Sequence, residues 1–381
     1  MAILQVNVTR DSDNPEDRNI QRRNAQRNNR RQSRTESRTE SRTEHRTGQH
    51  SGVRNVAHNA HFRTGGGKEA GPFENLMRHR GPMHGDAWQA ILWRLSPGTP
   101  VGRAMVSATQ RLEEAGSPSA HLDAQVILAH VLGQDRSWLF AHYDYALDEE
   151  EAARFIELVA RRVAHEPVAY LVGRKEFYGL ELAVDGRVLI PRPETELLVD
   201  AVLDHIDSRG DKRVVMADVG TGSGAIALAV AANAPAATIY ALDISDHALS
   251  VARRNVDAHG KQDQVTTLKS DLLADLTVPV DIIAANLPYI NSGTMDELEA
   301  GVREYEPHLA LAGGPDGLDV IRELLQQIPA RLKPGGVIFL EIGSDQGPAA
   351  LELVHTLLPT ATYVGLREDY HGLDRLVVIG T

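Results

Sequence analysis

The sequence predicts an α/β protein: a seven-stranded, mostly parallel, doubly wound sheet, preceded by a small N-terminal helical domain and a β-hairpin linker. Three observations carry this. From Val214 onward, short apolar runs alternate with helical patterns, as expected of strands covered on both faces. A glycine-rich turn, Gly220 to Gly224, follows the first of those runs and opens a helix. The 381 residues are enough for two domains, and residues 86–172 show helical spacing only.

Residues 1–85 are poor in large apolar side chains, and Ser33 to Thr47 repeats the unit Ser-Arg-Thr-Glu, the last copy degraded to His45-Arg46-Thr47. Such a segment buries too little surface to offset its ordering entropy, so a disordered, basic, low-complexity tail is expected. Residues 1–80 carry 16 Lys and Arg against 9 Asp and Glu, whereas the remaining 301 carry 24 against 43. A loose contact of the tail with RNA or the ribosome is one reading, and a dispensable extension is the plainer one. The acidic body is a poor partner for a nucleic-acid backbone.

Order is expected to begin near Asp86, where Trp88, Ile91, Leu92 and Leu95 lie at helical spacing. Residues 86–172 then form the helical domain. One helix runs from Gly102 to Ala115 and stops at Gly116; the next starts at Ser117-Pro118 and stops at Gly133. A third covers Ser137 to His142. The fourth starts at Asp148, with three glutamates in its first turn that suit the helix dipole, and ends near His165 before Pro167. Its stripe of Phe155, Leu158, Val159 and Arg162 reads as core plus a solvated face.

Residues 173–195 form the linker. Phe177–Val184 and Val188–Ile190, joined by Asp185-Gly186, have the alternation and turn of a hairpin. Pro191-Arg192-Pro193-Glu194-Thr195-Glu196 follows, a rigid presenter in which Arg192 and Glu194 organise a pocket wall or a domain junction. In residues 196–381, strands are expected at Val214–Val219, Thr238–Leu242, Val265–Lys269, Asp281–Ala285, Val337–Glu341, Thr362–Leu366 and Arg375–Ile379. Helices are expected after Thr195 and near 224–232, 246–259, 317–332 and 346–357. The last two strands, adjacent in sequence, imply one hairpin at the sheet edge.

The composition excludes several chemistries. With no cysteine there is no disulfide, thiolate metal site or cysteine nucleophile. The 16 histidines are scattered, with no pair at His-x-x-x-His spacing beside a third ligand on a helix, so no metal is expected. No apolar stretch approaches the ~20 residues of a membrane span, and the N-terminus lacks a signal-peptide layout. A cytoplasmic protein without membrane contact is the expectation.

The chemistry concentrates at strand ends. Asn286-Leu287-Pro288-Tyr289 closes the apolar run Val280–Ala285, at the edge where open α/β sheets bind ligands. A carboxamide oxygen accepts hydrogens of a neutral NH2 group, proline stiffens the turn, and a ring covers a flat substrate. In Asp218-Val219-Gly220-Thr221-Gly222-Ser223-Gly224 the glycine spacing is one residue shorter than the dinucleotide fingerprint. That favours a loop under an uncharged nucleoside or an amino-acid moiety over a pyrophosphate cradle. Asp243 ends the second strand, where a carboxylate takes both hydroxyls of a ribose. Asp271 and Leu272, after the third, suit an adenine edge and face.

Together these features resemble the class I S-adenosylmethionine-dependent methyltransferases, whose sheet is Rossmann-like, and Asn-Leu-Pro-Tyr points to those that methylate planar NH2 groups. Ile190 to Glu196, Asp218 to Ala229, Asn286 to Ile290, Tyr305-Glu306-Pro307 and Ala310 to Leu318 are similar to the bacterial peptide chain release factor N(5)-glutamine methyltransferases of the PrmC/HemK type. The resemblance covers roughly residues 100–381 and includes the helical domain, which in that family helps to dock the release factor. It implies methylation of the glutamine in the factor's Gly-Gly-Gln loop, in translation termination, with S-adenosyl-L-methionine as cofactor. It further implies that Gly220, Thr221, Gly222, Ser223, Gly224, Asp243, Asp271, Leu272 and Asn286 serve the cofactor. Asn286, Leu287, Pro288 and Tyr289 take the substrate, with Asn286, Pro288 and Tyr289 catalytic. Two residues depart from the common form: Leu287 stands where proline is usual, and Leu272 where an aromatic often lies beside adenine. Two alternatives stay open, an adenine amino methyltransferase acting on RNA or DNA and a nucleoside-binding scaffold without catalysis.

Overall fold

The computed structural model describes residues 95–381. The tail of residues 1–85 and the helical spacing at Trp88, Ile91 and Leu92 lie outside the described residues.

The first helices pack around their own core. They are α1 (Val101–Glu114), α2 (Ala120–Val131), α3 (Arg136–Ala141), α4 (Glu149–Val163) and the short α5 (Val168–Val172). Leu112, Ile127, Leu128, Leu139, Phe155 and Leu158 are wholly buried among them. α4 starts as its sequence requires: Asp148 accepts from the Glu151 amide at 2.8 Å, and the Glu151 carboxylate accepts from the Asp148 amide at 2.9 Å. Arg162, expected on the solvated face, instead donates to Asp123 of α2 at 2.8 Å and is mostly buried. A charge inside a small helical domain is tolerable because it is paired.

The hairpin is real, but its turn is elsewhere. β1 (Arg174–Phe177) pairs antiparallel with β2 (Leu180–Ala183), and the turn is Tyr178-Gly179, with φ of 53° and 77°. Two successive residues with positive φ match the right-handed twist of a two-residue hairpin. At Asp185-Gly186 the aspartate side chain accepts from the amide and guanidinium of Arg187, so that turn closes on itself, and Val188–Ile190 forms no strand.

After α6 (Glu196–Ser208) come β3 (Val215–Val219), α7 (Ala225–Asn233), β4 (Thr238–Asp243), α8 (Asp246–Ala258), β5 (Val265–Lys269) and β6 (Val280–Asn286). The short α9 (Ala300–Tyr305) and α10 (Asp319–Gln327) lead to β7 (Leu332–Glu341), α11 (Gly347–Leu357), β8 (Tyr363–Glu368) and β9 (Asp374–Gly380). The sheet order is β5-β4-β3-β6-β7-β9-β8. Only β9 runs against the rest: it turns back from β8 and inserts between β7 and β8. Residues 317–332 are not one helix. α10 ends at Gln327 and a 3-10 turn over Ile328–Ala330 contains Pro329, whose missing N–H and ring clash bar a continued α-helix.

Each face of the sheet has a core, with Leu198, Val202, Leu228 and Phe339 on one side and Leu273, Ile321, Leu325 and Val354 on the other. β3 is the switch point, since the chain leaves it toward β4 on one side and β6 lies on the other. A crevice opens at the C-terminal ends of such strands. Tyr305 of α9 ties the helical domain to the sheet, its hydroxyl donating to the Ala164 carbonyl at 2.6 Å. Asn255 of α8 pins the hairpin to the glycine turn, its Nδ2 donating to Ala183 O at 3.0 Å and Ser223 O at 2.8 Å.

Candidate active site

At the switch point lies a cavity of about 420 Å³, within the range of small-molecule sites. Its floor is Gly220 and Gly222 after β3, its sides are Asp243 after β4 and Asp271 and Leu272 after β5, and Asn286, Leu287 and Pro288 close it after β6. Pro307, Ala310 and Ala312, from loops between α9 and α10, form the opposite wall.

The glycine turn and the Asn-Leu-Pro-Tyr turn touch. A Cβ on Gly220 would stand 3.0 Å from the Leu287 side chain and 3.7 Å from the Asn286 carbonyl, and φ there is +72°. Only glycine fits that position without strain. The turn is held from below by Asp218, which is wholly buried and accepts from the Thr221 hydroxyl at 2.6 Å and the Ala227 amide at 3.1 Å. Burial pushes the Asp218 carboxyl up to about 7, although both hydrogen bonds oppose this.

Asp243 holds the turn from the side. One carboxylate oxygen accepts from the Gly222 amide at 2.9 Å and the other from the Ser245 amide at 2.9 Å. Burial raises its pKa, and the amides pull against that rise. Leu272 occupies a left-handed conformation, φ 53°, that a branched side chain rarely adopts. It turns this residue into the cavity wall with its side chain almost fully buried.

Asn286 is oriented by a residue distant in sequence. Its Nδ2 donates to the Thr195 hydroxyl at 2.9 Å, and Thr195 is buried at the start of α6. The Arg192–Glu306 pair positions the strap that carries Thr195: Arg192 donates to Glu306 at 2.6 Å, and the other Glu306 oxygen accepts from the Ile190 amide at 3.2 Å. This is a structural tie between the Pro-Arg-Pro stretch and Tyr305-Glu306-Pro307.

Eight of the residues expected to form the site line the cavity: Gly220, Gly222, Asp243, Asp271, Leu272, Asn286, Leu287 and Pro288. Thr221, Ser223 and Gly224 do not. The Thr221 hydroxyl is turned to Asp218, the Ser223 carbonyl accepts from Asn255, and Gly224 precedes α7 with φ +82°. Tyr289 is also absent from the lining; its carbonyl accepts from Gln346 at 2.9 Å, and burial pushes its phenol up to about 12. Sequence reasoning missed Thr195 and Gln346 as supports and Ser245 and Leu309 in the wall. Thr195 sits within the Pro-Arg-Pro-Glu-Thr-Glu stretch, which was the one available signal.

The residues suit an S-adenosylmethionine molecule: a cradle that a Cβ would fill at Gly220, a carboxylate at the end of β4, and an apolar wall at Leu272 and Val320. Among the described residues no group of three His, Asp or Glu side chains is placed to hold a metal ion, and no helix is long and apolar enough to cross a membrane.

A sheet of this order, with a glycine turn on β3 and an amide-bearing turn on β6, defines a Rossmann-like methyltransferase. The methyltransferase small domain family matches residues 194–303, and the PrmC N-terminal domain family matches residues 103–173. The release factor glutamine methyltransferase of Xylella fastidiosa is 42% identical over 274 residues, covering 72% of this chain and 95% of that protein. That of Moorella thermoacetica matches equally, at 42% over 274 residues with the same coverage. The enzyme of the same name from Rhodopirellula baltica is 43% identical over 246 residues, 64% of this chain and 83% of that protein. This chain belongs to the release factor glutamine methyltransferase family.

Proposed function

We infer that the protein transfers a methyl group from S-adenosylmethionine to the side-chain amide nitrogen of the glutamine in the Gly-Gly-Gln loop of a peptide chain release factor. The observation that carries this reading is the close approach of Gly220 to the Leu287 side chain and the Asn286 backbone carbonyl, which sets the cofactor cradle against the turn that bears the Asn286 carboxamide.

When bound, S-adenosylmethionine supplies an electrophilic methyl group on a sulfonium. The chain supplies position. A glutamine amide nitrogen is a poor nucleophile, because its lone pair is delocalised, and no side chain in the cavity is basic enough to deprotonate it beforehand. With its own NH2 engaged by Thr195, Asn286 offers Oδ1 to one substrate N–H, and the Leu287 carbonyl takes the other. Two acceptors would hold the nitrogen in one orientation toward the cofactor side of the cavity, and such positioning would supply most of the acceleration. The apolar wall favours a step in which positive charge is lost. The amide proton leaves late, to solvent.

The test is to incubate the protein with labelled S-adenosylmethionine and either a release factor or RNA, and to locate the label by mass spectrometry. Label on the Gly-Gly-Gln glutamine is the expected result. Label on adenine, or none on either, would overturn this reading.

A further inference from the structure

The reaction described above uses no carboxylate, yet one is buried beside it. Glu341 ends β7 in register with Asn286 at the end of β6, so both side chains leave the sheet on the same face. Glu341 is 2% exposed, and neither carboxylate oxygen has a full hydrogen bond. An unpaired buried carboxylate is among the costliest arrangements in a protein interior, and packing alone gives no reason to keep one.

Its surroundings give a reason. The Thr195 hydroxyl lies close enough to lower the pKa of Glu341, although its geometry falls short of a formed bond. Arg375 and Arg192 also lower it, Glu194 raises it, and the Tyr289 phenol feels its charge. Burial outweighs all of these and pushes the carboxyl up to about 7. On its other side the Thr195 oxygen accepts from Asn286 Nδ2 at 2.9 Å. A hydroxyl that accepts there still has a proton to place, and an ionised carboxylate is an acceptor only.

We propose that Glu341 is a positioning residue for methyl transfer: as an acceptor for the Thr195 hydroxyl it fixes the direction of the chain Glu341–Thr195–Asn286 and thereby presents the Asn286 oxygen to the substrate. A carboxamide rotated by half a turn fills the same space but offers NH2 where Oδ1 belongs. Facing a substrate NH2, that is donor against donor. Glu341 removes the ambiguity, because a chain that ends on an acceptor can run in one direction only. The inference rests on the proposed function.

The experiment measures transfer to an intact release factor, cofactor affinity by calorimetry, and the pH profile of kcat/KM. It compares the full-length protein with Glu341→Gln, Thr195→Val, the double variant and Thr195→Ser. Glutamine can donate to Thr195 and reverse the chain, and valine removes the hydroxyl at constant shape. Each single variant is expected to lose about a hundredfold in kcat/KM with unchanged cofactor affinity, as small misplacements of a reacting group do. The double variant is expected to be no worse than either, because both remove the same chain. Thr195→Ser is expected to recover transfer relative to Thr195→Val. The wild-type profile is expected to fall as pH drops and Glu341 takes up a proton, and Glu341→Gln to lack that limb. If Glu341→Gln does not fold, the isosteric Thr195→Val decides. Wild-type rates in either single variant, multiplying losses in the double variant, or an acid limb retained by Glu341→Gln would overturn the inference. Absence of transfer by the wild-type protein would instead remove the proposed function, so the two failures are distinct.

Discussion

Gly313 lies so close to Pro288 that a methyl group on it would stand 2.7 Å from the Pro288 carbonyl oxygen and 2.8 Å from the Tyr289 α-carbon. The two segments are joined on either side, by the Ile290 amide to the Leu311 carbonyl at 3.0 Å and the Gly313 amide to the Ile290 carbonyl at 2.9 Å. Gln346 completes the clamp from the start of α11, donating to the Tyr289 carbonyl at 2.9 Å. The turn proposed to hold the substrate amide is therefore braced by two backbone hydrogen bonds and by the Gln346 side chain.

Gly313→Ala should push the Pro288 carbonyl away. Overpacking of a tight contact costs about 1–3 kcal/mol. Lower thermal stability and a reduced kcat are expected, read by a melting curve and a transfer assay with the release factor.

Asn286→Ala should cost at least about a hundredfold in transfer, because the substrate nitrogen loses one of its two acceptors. Cofactor affinity measured by calorimetry should stay near that of the wild type. Normal methylation by this variant would refute the role given to Asn286.

Asp243→Ala should weaken cofactor binding. Its carboxylate holds the Gly222 and Ser245 amides, and hydrogen bonds to a charged group contribute about 1.5–3 kcal/mol. A rise of about ten- to a hundredfold in the cofactor dissociation constant follows from that range, with kcat at saturating cofactor less affected.

Stability should depend on pH through the two buried carboxyls. The folded-state values of Asp218 and Glu341, both about 7, lie above the ordinary carboxylate range. A raised folded value means that their contribution is present at pH 4 and is lost as pH rises through 7. Between pH 5 and pH 8 these groups make the protein less stable. Glu341→Gln removes one such cost and should be the more stable protein at pH 8, by a margin on the order of 3 kcal/mol. That margin should shrink as pH falls to 5. Chemical denaturation at several pH values checks it, and equal stability at pH 8 would contradict the charged, buried state of Glu341.

Glu306→Ala should loosen the strap that carries Thr195, since Glu306 holds both Arg192 and the Ile190 amide. Removing one partner of a buried pair costs up to about 3–5 kcal/mol; Arg192 can reach water, so the low end is expected. A drop in melting temperature together with a reduced kcat is the signature to look for.

By itself the sequence determined the strands, the glycine turn and the residues at the strand ends, because these depend on local pattern. An apolar run such as Ile282–Ala285 followed by a polar turn specifies a buried strand and its exit, and even the more polar Val265–Lys269 falls at its expected limits. The hairpin turn shows the limit of such reading. Asp-Gly is the stronger local signal, but the side chain of Asp185 satisfies its own turn, and the strands pair around Tyr178-Gly179 instead. Only the tertiary structure decided that β9 inserts between β7 and β8, that Gly313 backs Pro288, and that Thr195 and Glu341 stand behind Asn286. The physical reason is separation along the chain. Thr195 and Asn286 are 91 residues apart, and a contact of that kind leaves no periodicity or spacing in the sequence until packing of the sheet and its helices brings the two together.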